Sequence, residues 1–208
     1  MRNVSFFRRP SALLAVAGAS LLAAACSSDP VGTGPELVRR NNEVTVGSTA
    51  KVLSRKVQRT TTEKASLTIT DKRGGTLSLP GSGLTVTVPA GAIASGSLTI
   101  TVTAETGKEV SYDFQPHGTQ FLKPLVLTQA LNVTNWSASS NPKLWGVYTA
   151  GTVDKTKGTA KADEVFNVTF STDRKTGVTS ASFNIWHFSG YVVASGREEV
   201  DPAGALGM

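Results

Sequence analysis

From residue 65 onward, apolar and polar residues alternate one for one along much of the chain. Ser66-Leu67-Thr68-Ile69-Thr70 sets Leu67 and Ile69 on one side, and Thr76-Leu77-Ser78-Leu79 repeats the pattern. Leu84-Thr85-Val86-Thr87-Val88, Leu98-Thr99-Ile100-Thr101-Val102 and Val110-Ser111-Tyr112-Asp113-Phe114 follow. A period of two throws successive side chains to opposite faces of an extended segment, so each run predicts a strand with one face packed and one wet. Turn chemistry separates the runs at Gly74-Gly75, Pro80-Gly81-Ser82-Gly83, Pro89-Ala90-Gly91, Ser95-Gly96 and Thr106-Gly107. Further strands are expected at 124–130, 143–149, 164–171, 178–187 and 191–194. No stretch keeps helical spacing for more than about a turn. Ten short strands of this kind predict an all-β fold, an antiparallel β-sandwich.

The start of the chain follows a different logic. Arg2, Arg8 and Arg9 precede an apolar stretch from Ala12 to Ala25. Fourteen residues suit the core of a signal peptide and are too short for a helix crossing about 30 Å of hydrocarbon. Leu22-Ala23-Ala24-Ala25-Cys26 resembles a bacterial lipobox, in which the thiol takes a diacylglyceryl group. That resemblance implies lipidation at Cys26. The Ser27 that follows implies a bacterial envelope location, at the outer membrane where the cell has one. The expected organisation is a signal peptide over 1–25, a lipidated cysteine with a basic flexible tether over 26–64, the sandwich over 65–195 and a tail over 196–208; within the tether, Val44 to Arg59 has the scattered Val and Leu of a strand or short helix.

Charge refines this picture. The chain has 208 residues, 21 Lys and Arg, and 15 Asp and Glu. Residues 27–64 hold seven bases against four acids, while residues 65–208 hold eleven of each. The basic character thus sits in the leader and tether, and no basic nucleic-acid face is implied. Lys51, Arg55, Lys56 and Arg59 have two readings: contacts to anionic lipid headgroups, or a solvated run that keeps the tether soluble. A sole cysteine excludes a disulfide framework and a cysteine-clustered metal site, and two histidines leave little for a metal centre. No metal or cofactor is expected.

Three stretches together resemble the ZU-five domain, the zonula occludens and Unc-five module. They are Gly74 to Pro80 with Gly83 to Ile93, then Pro116-His117-Gly118-Thr119-Gln120-Phe121-Leu122-Lys123-Pro124-Leu125-Val126-Leu127, and last His187-Phe188-Ser189-Gly190-Tyr191-Val192-Val193. The resemblance covers about residues 65–195 and implies a sandwich used for interaction. Companion domains of the animal members are not recognisable here, so their partners do not carry over. Some relatives cleave themselves between Phe and Ser of a His-Phe-Ser sequence, which makes Phe188–Ser189 the candidate bond. Such a step needs Ser189 Oγ to attack the preceding carbonyl and a base to take its proton. Alternation counted from Phe183 and Ile185 sets His187 and Ser189 side by side on the inward face. The same pattern also suits a core histidine followed by a Ser-Gly bulge.

The remaining candidates are structural first. His117, between Pro116 and Gly118, is expected to pin a turn by bonding backbone. Asp71, Asp113, Asp154, Asp163 and Asp173 fall near turns without calcium-loop spacing. Trp136, Trp145 and Trp186 are either packing residues or a sugar-stacking platform. Asn132, Asn135 and Asn167 stand in glycosylation-acceptor sequences that a bacterial lipoprotein leaves idle. The reading is a non-enzymatic, lipid-anchored binding or structural module. Its partner is an unidentified protein or glycan of the envelope, and the loops 135–142 and 150–163 are the expected contact surface. The alternatives are a self-cleaving domain and a glycan-binding module.

Overall fold

The computed structural model describes residues 43–140 and 143–198. The signal sequence, Cys26 and residues 199–208 lie outside the described residues. Fifteen strands follow in order: β1 Thr49–Val52, β2 Ser54–Arg59, β3 Glu63–Thr70, β4 Gly75–Leu79, β5 Leu84–Val88, β6 Ser97–Ala104, β7 Gly107–Glu109 and β8 Ser111–Gln115. Then come β9 Gln120–Ala130, β10 Trp145–Thr149, β11 Thr159–Lys161, β12 Glu164–Asn167, β13 Thr169–Thr172, β14 Thr179–His187 and β15 Gly190–Arg197. All pairings are antiparallel. One sheet runs β13-β14-β9-β5-β4, and a larger one contains β11-β1-β15-β8-β6-β3 with β10 attached to β15 and β12 to β10. The fold is the antiparallel sandwich that the alternation predicts.

Parity builds the core. Leu77 and Leu79, then Leu84, Val86 and Val88, then Leu125 and Leu127, then Ala181, Phe183 and Ile185 point inward from the five-stranded sheet. Ile69, Ile100, Val102, Tyr112, Phe114, Tyr191 and Val193 meet them from the larger sheet. The rings of Phe114, Phe121, Phe188 and Tyr191 interlock, with centroids 4.7–5.4 Å apart. At Gly146 of β10 a Cβ would collide with the Phe183 ring, so only glycine lets the two sheets close there.

The larger sheet also curls over its own outer side. β11 pairs with β1, β1 with β15, β15 with β10 and β10 with β12. Only Ala162 and Asp163 separate β11 from β12, so this run bends back on itself. A second apolar cluster fills the bend: Val44, Ala50, Val52, Trp145, Val147, Ala160, Ala162, Val192 and Ala194.

The second half of the expected tether is part of the folded body, ordered as strands, one of the forms its scattered Val and Leu allowed, and is not flexible coil. Residues 49–59 are strands of the folded body, with Ala50 and Leu53 buried, and β3 begins at Glu63 rather than after 64. Arg55 is buried, donates from Nη1 to the Glu109 carbonyl and lies 5.5 Å from the Tyr112 ring. Arg59 pairs with Glu63 at 3.3 Å. These two arginines are therefore structural cations rather than a lipid-facing or solvated run. The tail boundary also moves, because β15 continues to Arg197 and Glu198 N–H donates to Thr49 O. The single expected strand at 164–171 is two, β12 and β13, which lie in different sheets.

The outer side of the five-stranded sheet is a different surface. Beyond the irregular start of β9, where Leu122 and Lys123 are exposed, its outward strand positions are Thr76 and Ser78, Thr85 and Thr87, Val126, Thr128 and Ala130, Ser180, Ser182, Asn184 and Trp186, with Thr169 and Ser171 at the edge. None of these outward positions is ionisable. Hydroxyls bond across strands, Thr128 to Ser182 at 2.9 Å and Ser78 to Thr85 at 3.5 Å.

Candidate functional site

The His187-Phe188-Ser189 segment is the corner where the chain leaves the five-stranded sheet, at the end of β14, and enters the larger one as β15. A bulge lies between Ile185 and His187, and residues 188–189 belong to no strand. Simple alternation therefore fails at this point. Phe188 turns into the core and is 1% exposed. Its N–H donates to Thr119 O, and its own carbonyl accepts from Gly118 N–H.

The His187 ring is committed elsewhere. Nε2 lies 3.0 Å from Glu164 Oε1, and since a carboxylate only accepts, this nitrogen donates. Nδ1 lies 3.2 Å from Tyr191 Oη, while that hydroxyl donates to the His187 carbonyl at 2.6 Å. Tyr148 stands edge-on to the imidazole at 4.8 Å. Burial, with the nearby Glu164 and Tyr148 charges adding to it, pushes the Tyr191 hydroxyl well above its ordinary value. The inward pairing of His187 with Ser189 that the alternation suggested is not found. The imidazole bridges a carboxylate and a phenol and fastens the β12–β14–β15 corner.

His117 also differs from its expectation. Its Nε2 lies 2.6 Å from Asp113 Oδ1 and 2.8 Å from Gln115 Nε2, so the partners are side chains rather than backbone. The turn is pinned instead by Thr119 Oγ1, which donates to Pro116 O. Asp154 and Asp173 hold turns as expected: Asp154 Oδ1 accepts from the N–H groups of Thr156 and Lys157, and Asp173 Oδ1 from those of Lys175 and Thr176. These bonds draw the Asp173 carboxyl below its ordinary range. Among the described residues no group of three His, Cys, Asp or Glu is placed to hold a metal ion.

The three tryptophans do not make one platform. Trp145 is buried in the second cluster, and Trp136 stacks on Phe170 at 5.7 Å. Trp186 stands open, 49% exposed. It lines a groove of about 450 Å³ with Asn184 and Ser182 of β14, Val126 of β9, and Phe166 and Asn167 of β12. No lining residue of this groove is ionisable.

A second cleft, about 290 Å³, lies where Thr149 to Lys155 approach Ser111 and Asp113 of β8. Ser111 is 4% exposed and its Oγ has no hydrogen-bond partner. Part of the expected 150–163 contact loop thus walls a cleft, but Thr159–Lys161 is strand β11 within the sheet. Trp186 exposure was available from parity, since Phe183 and Ile185 point inward and residues 184 and 186 must then point out. The groove itself was not, because Asn167 reaches it from the other sheet. No family model and no curated protein matches this chain.

Proposed function

We propose that the chain is a non-enzymatic binding module of a bacterial envelope, anchored through a lipid on Cys26, with its sandwich related to ZU-five domains. One observation carries the binding part of this reading. On a body whose other sheet folds its outer side into a second core, the five-stranded sheet has an outer side that no other described residues cover, ending in a groove with a half-exposed tryptophan. An indole left in water beside a groove is a surface shaped for a partner. The anchor rests on the Leu22–Cys26 segment.

Metabolic labelling with palmitate tests the anchor. Label should enter the mature chain and disappear in Cys26→Ser, and an unlabelled mature chain rejects it. Affinity capture of the detergent-solubilised protein from its own envelope, with mass spectrometry of bait and prey, tests the module. With the His187 ring held by Glu164 and Tyr191, the mature chain is expected in one piece. A fragment beginning at Ser189 that vanishes in Ser189→Ala would instead establish self-cleavage.

A further inference from the structure

We infer that the groove at Trp186 and the sheet face beside it bind an uncharged polysaccharide; this rests on the binding-module reading and names its ligand class. The chemistry of the surface selects among possible partners. A membrane of anionic lipids needs lysines and arginines, and the strands of the five-stranded sheet hold a single one, Lys123 near the start of β9, whose Nζ donates to Ala90 O. A protein partner needs a broad apolar centre to the contact, yet the apolar surface is confined to the groove, at Val126, Val165, Phe166 and Trp186, and the strand face beside it offers the hydroxyls of Thr and Ser. An acidic glycan would meet along these strands only the one cation of Lys123, already bonded to backbone. What remains is a ligand that is neutral, rich in hydroxyls and apolar on one side. A neutral sugar chain has that character.

The geometry suits such a ligand at three levels. The exposed Trp186 presents a flat π-face, whose negative potential attracts the C–H hydrogens on the apolar side of a pyranose ring. Asn184, two residues back on the same face of β14, and Asn167 from β12 are both exposed and line the same groove. Each carboxamide offers one acceptor oxygen and two donor hydrogens, a set that matches neighbouring hydroxyls on a sugar. Beyond the groove a hydroxyl row continues from Ser182 through Thr128 and Thr85 to Ser78. Five strands at about 4.8 Å spacing make a face about 20 Å across, enough for several sugar units in a row. A depression of about 670 Å³ at the other end of the same face, lined by Thr128, Ser171 and Ser180, lacks a tryptophan and includes Asp173, and the cleft at Ser111 includes Glu105, Asp113 and Lys155.

The test is affinity electrophoresis of the full chain in a detergent without a sugar headgroup. Native gels are cast with neutral hydroxyethylcellulose, xyloglucan or galactomannan, and with acidic alginate or hyaluronate. At least one neutral polymer should retard the protein, and the acidic ones should not. Trp186→Ala should weaken retardation by about thirtyfold, the scale of losing a central tryptophan anchor, while Trp186→Phe keeps most of it and Trp136→Ala all of it. An unchanged circular-dichroism spectrum and melting temperature for Trp186→Ala exclude a folding defect. Retardation by no neutral polymer, stronger retardation by the acidic ones, or retardation that survives Trp186→Ala overturns the inference. So does a concentration-dependent dimer that Trp186→Ala abolishes, because the face then serves a second copy. Capture of the same envelope partner by wild type and Trp186→Ala, without neutral-glycan binding, keeps the module and discards the groove. No capture and no glycan binding discards both.

Discussion

Trp145 and Trp186 sit on outer sides of the two sheets and meet opposite fates. Trp145 lies under the curl of β11, β1, β15, β10 and β12, in a cluster with Val147 and Val192. Trp186 faces water on a sheet that nothing among the described residues covers. The same side chain is thus a packing element on one side and a free surface on the other. The difference lies in the strands around each tryptophan. On the larger sheet, short strands from distant parts of the chain return over its outer side. On the five-stranded sheet, the edge strand β13 pairs only with β14 and begins at Thr169, where the chain arrives from β12 of the other sheet.

Breaking the comparison directly gives the largest effect. Trp145→Ala should cost about 3–5 kcal/mol, because it removes buried area and leaves a cavity. Trp186→Ala should stay within about 0.5 kcal/mol of wild type, as expected for an exposed site. Urea unfolding of both variants measures the contrast, and equal losses would mean that the second face is covered after all.

A middle effect is expected between the sheets, where the polar groups are buried with partners. Tyr112 Oη donates to Gln129 Oε1 and lies 3.2 Å from the Ser82 carbonyl. Tyr112→Phe leaves the buried Gln129 without that donor and should cost about 1–3 kcal/mol. Burial pushes the Tyr112 hydroxyl up to about 12, and the unfolded chain ionises it near 10. Above pH 10 the native state therefore holds more protons than the unfolded state, and stability falls as pH rises. Tyr112→Phe should make that alkaline decline shallower in unfolding curves taken between neutral pH and pH 11.

The smallest effect belongs to the rim. Burial raises the Glu63 carboxyl, but donation from Ser82 Oγ at 2.6 Å and Gly81 N–H at 2.9 Å, with the Arg59 charge, outweighs it and leaves the group below its ordinary 4.5. Its contribution is present above that ordinary value and is lost as pH falls through the lower native one. Glu63→Gln should cost about 1 kcal/mol or less at neutral pH, and the gap to wild type should close in acid. A gap that stays constant from pH 7 to pH 2 would show that the carboxylate charge is irrelevant there.

Most of the central strands were legible because their cause is local. β4, β5 and β6 lie where alternation puts them, and their inward residues are the core. β7 and β11 were not legible, and for β1 and β2 the scattered Val and Leu of 44–59 left strand and short helix both open. They are three to six residues long, and Lys51, Arg55 and Lys56 read as a solvated basic run until Arg55 is seen folded over Tyr112. The His187 corner misled for a related reason. A bulge and a two-residue crossing shift the parity, so Phe188 rather than Ser189 turns inward.

By itself the sequence determined which side chains share a face, since that follows from the two-residue period of an extended backbone and needs no partner. It also marked the turns, through Gly and Pro, and made the outward residues of the five-stranded sheet uncharged. Which of the two outer faces would be covered was decided only by tertiary structure. Covering requires β1 to find β15 across more than a hundred residues, a pairing set by the closure of the whole fold.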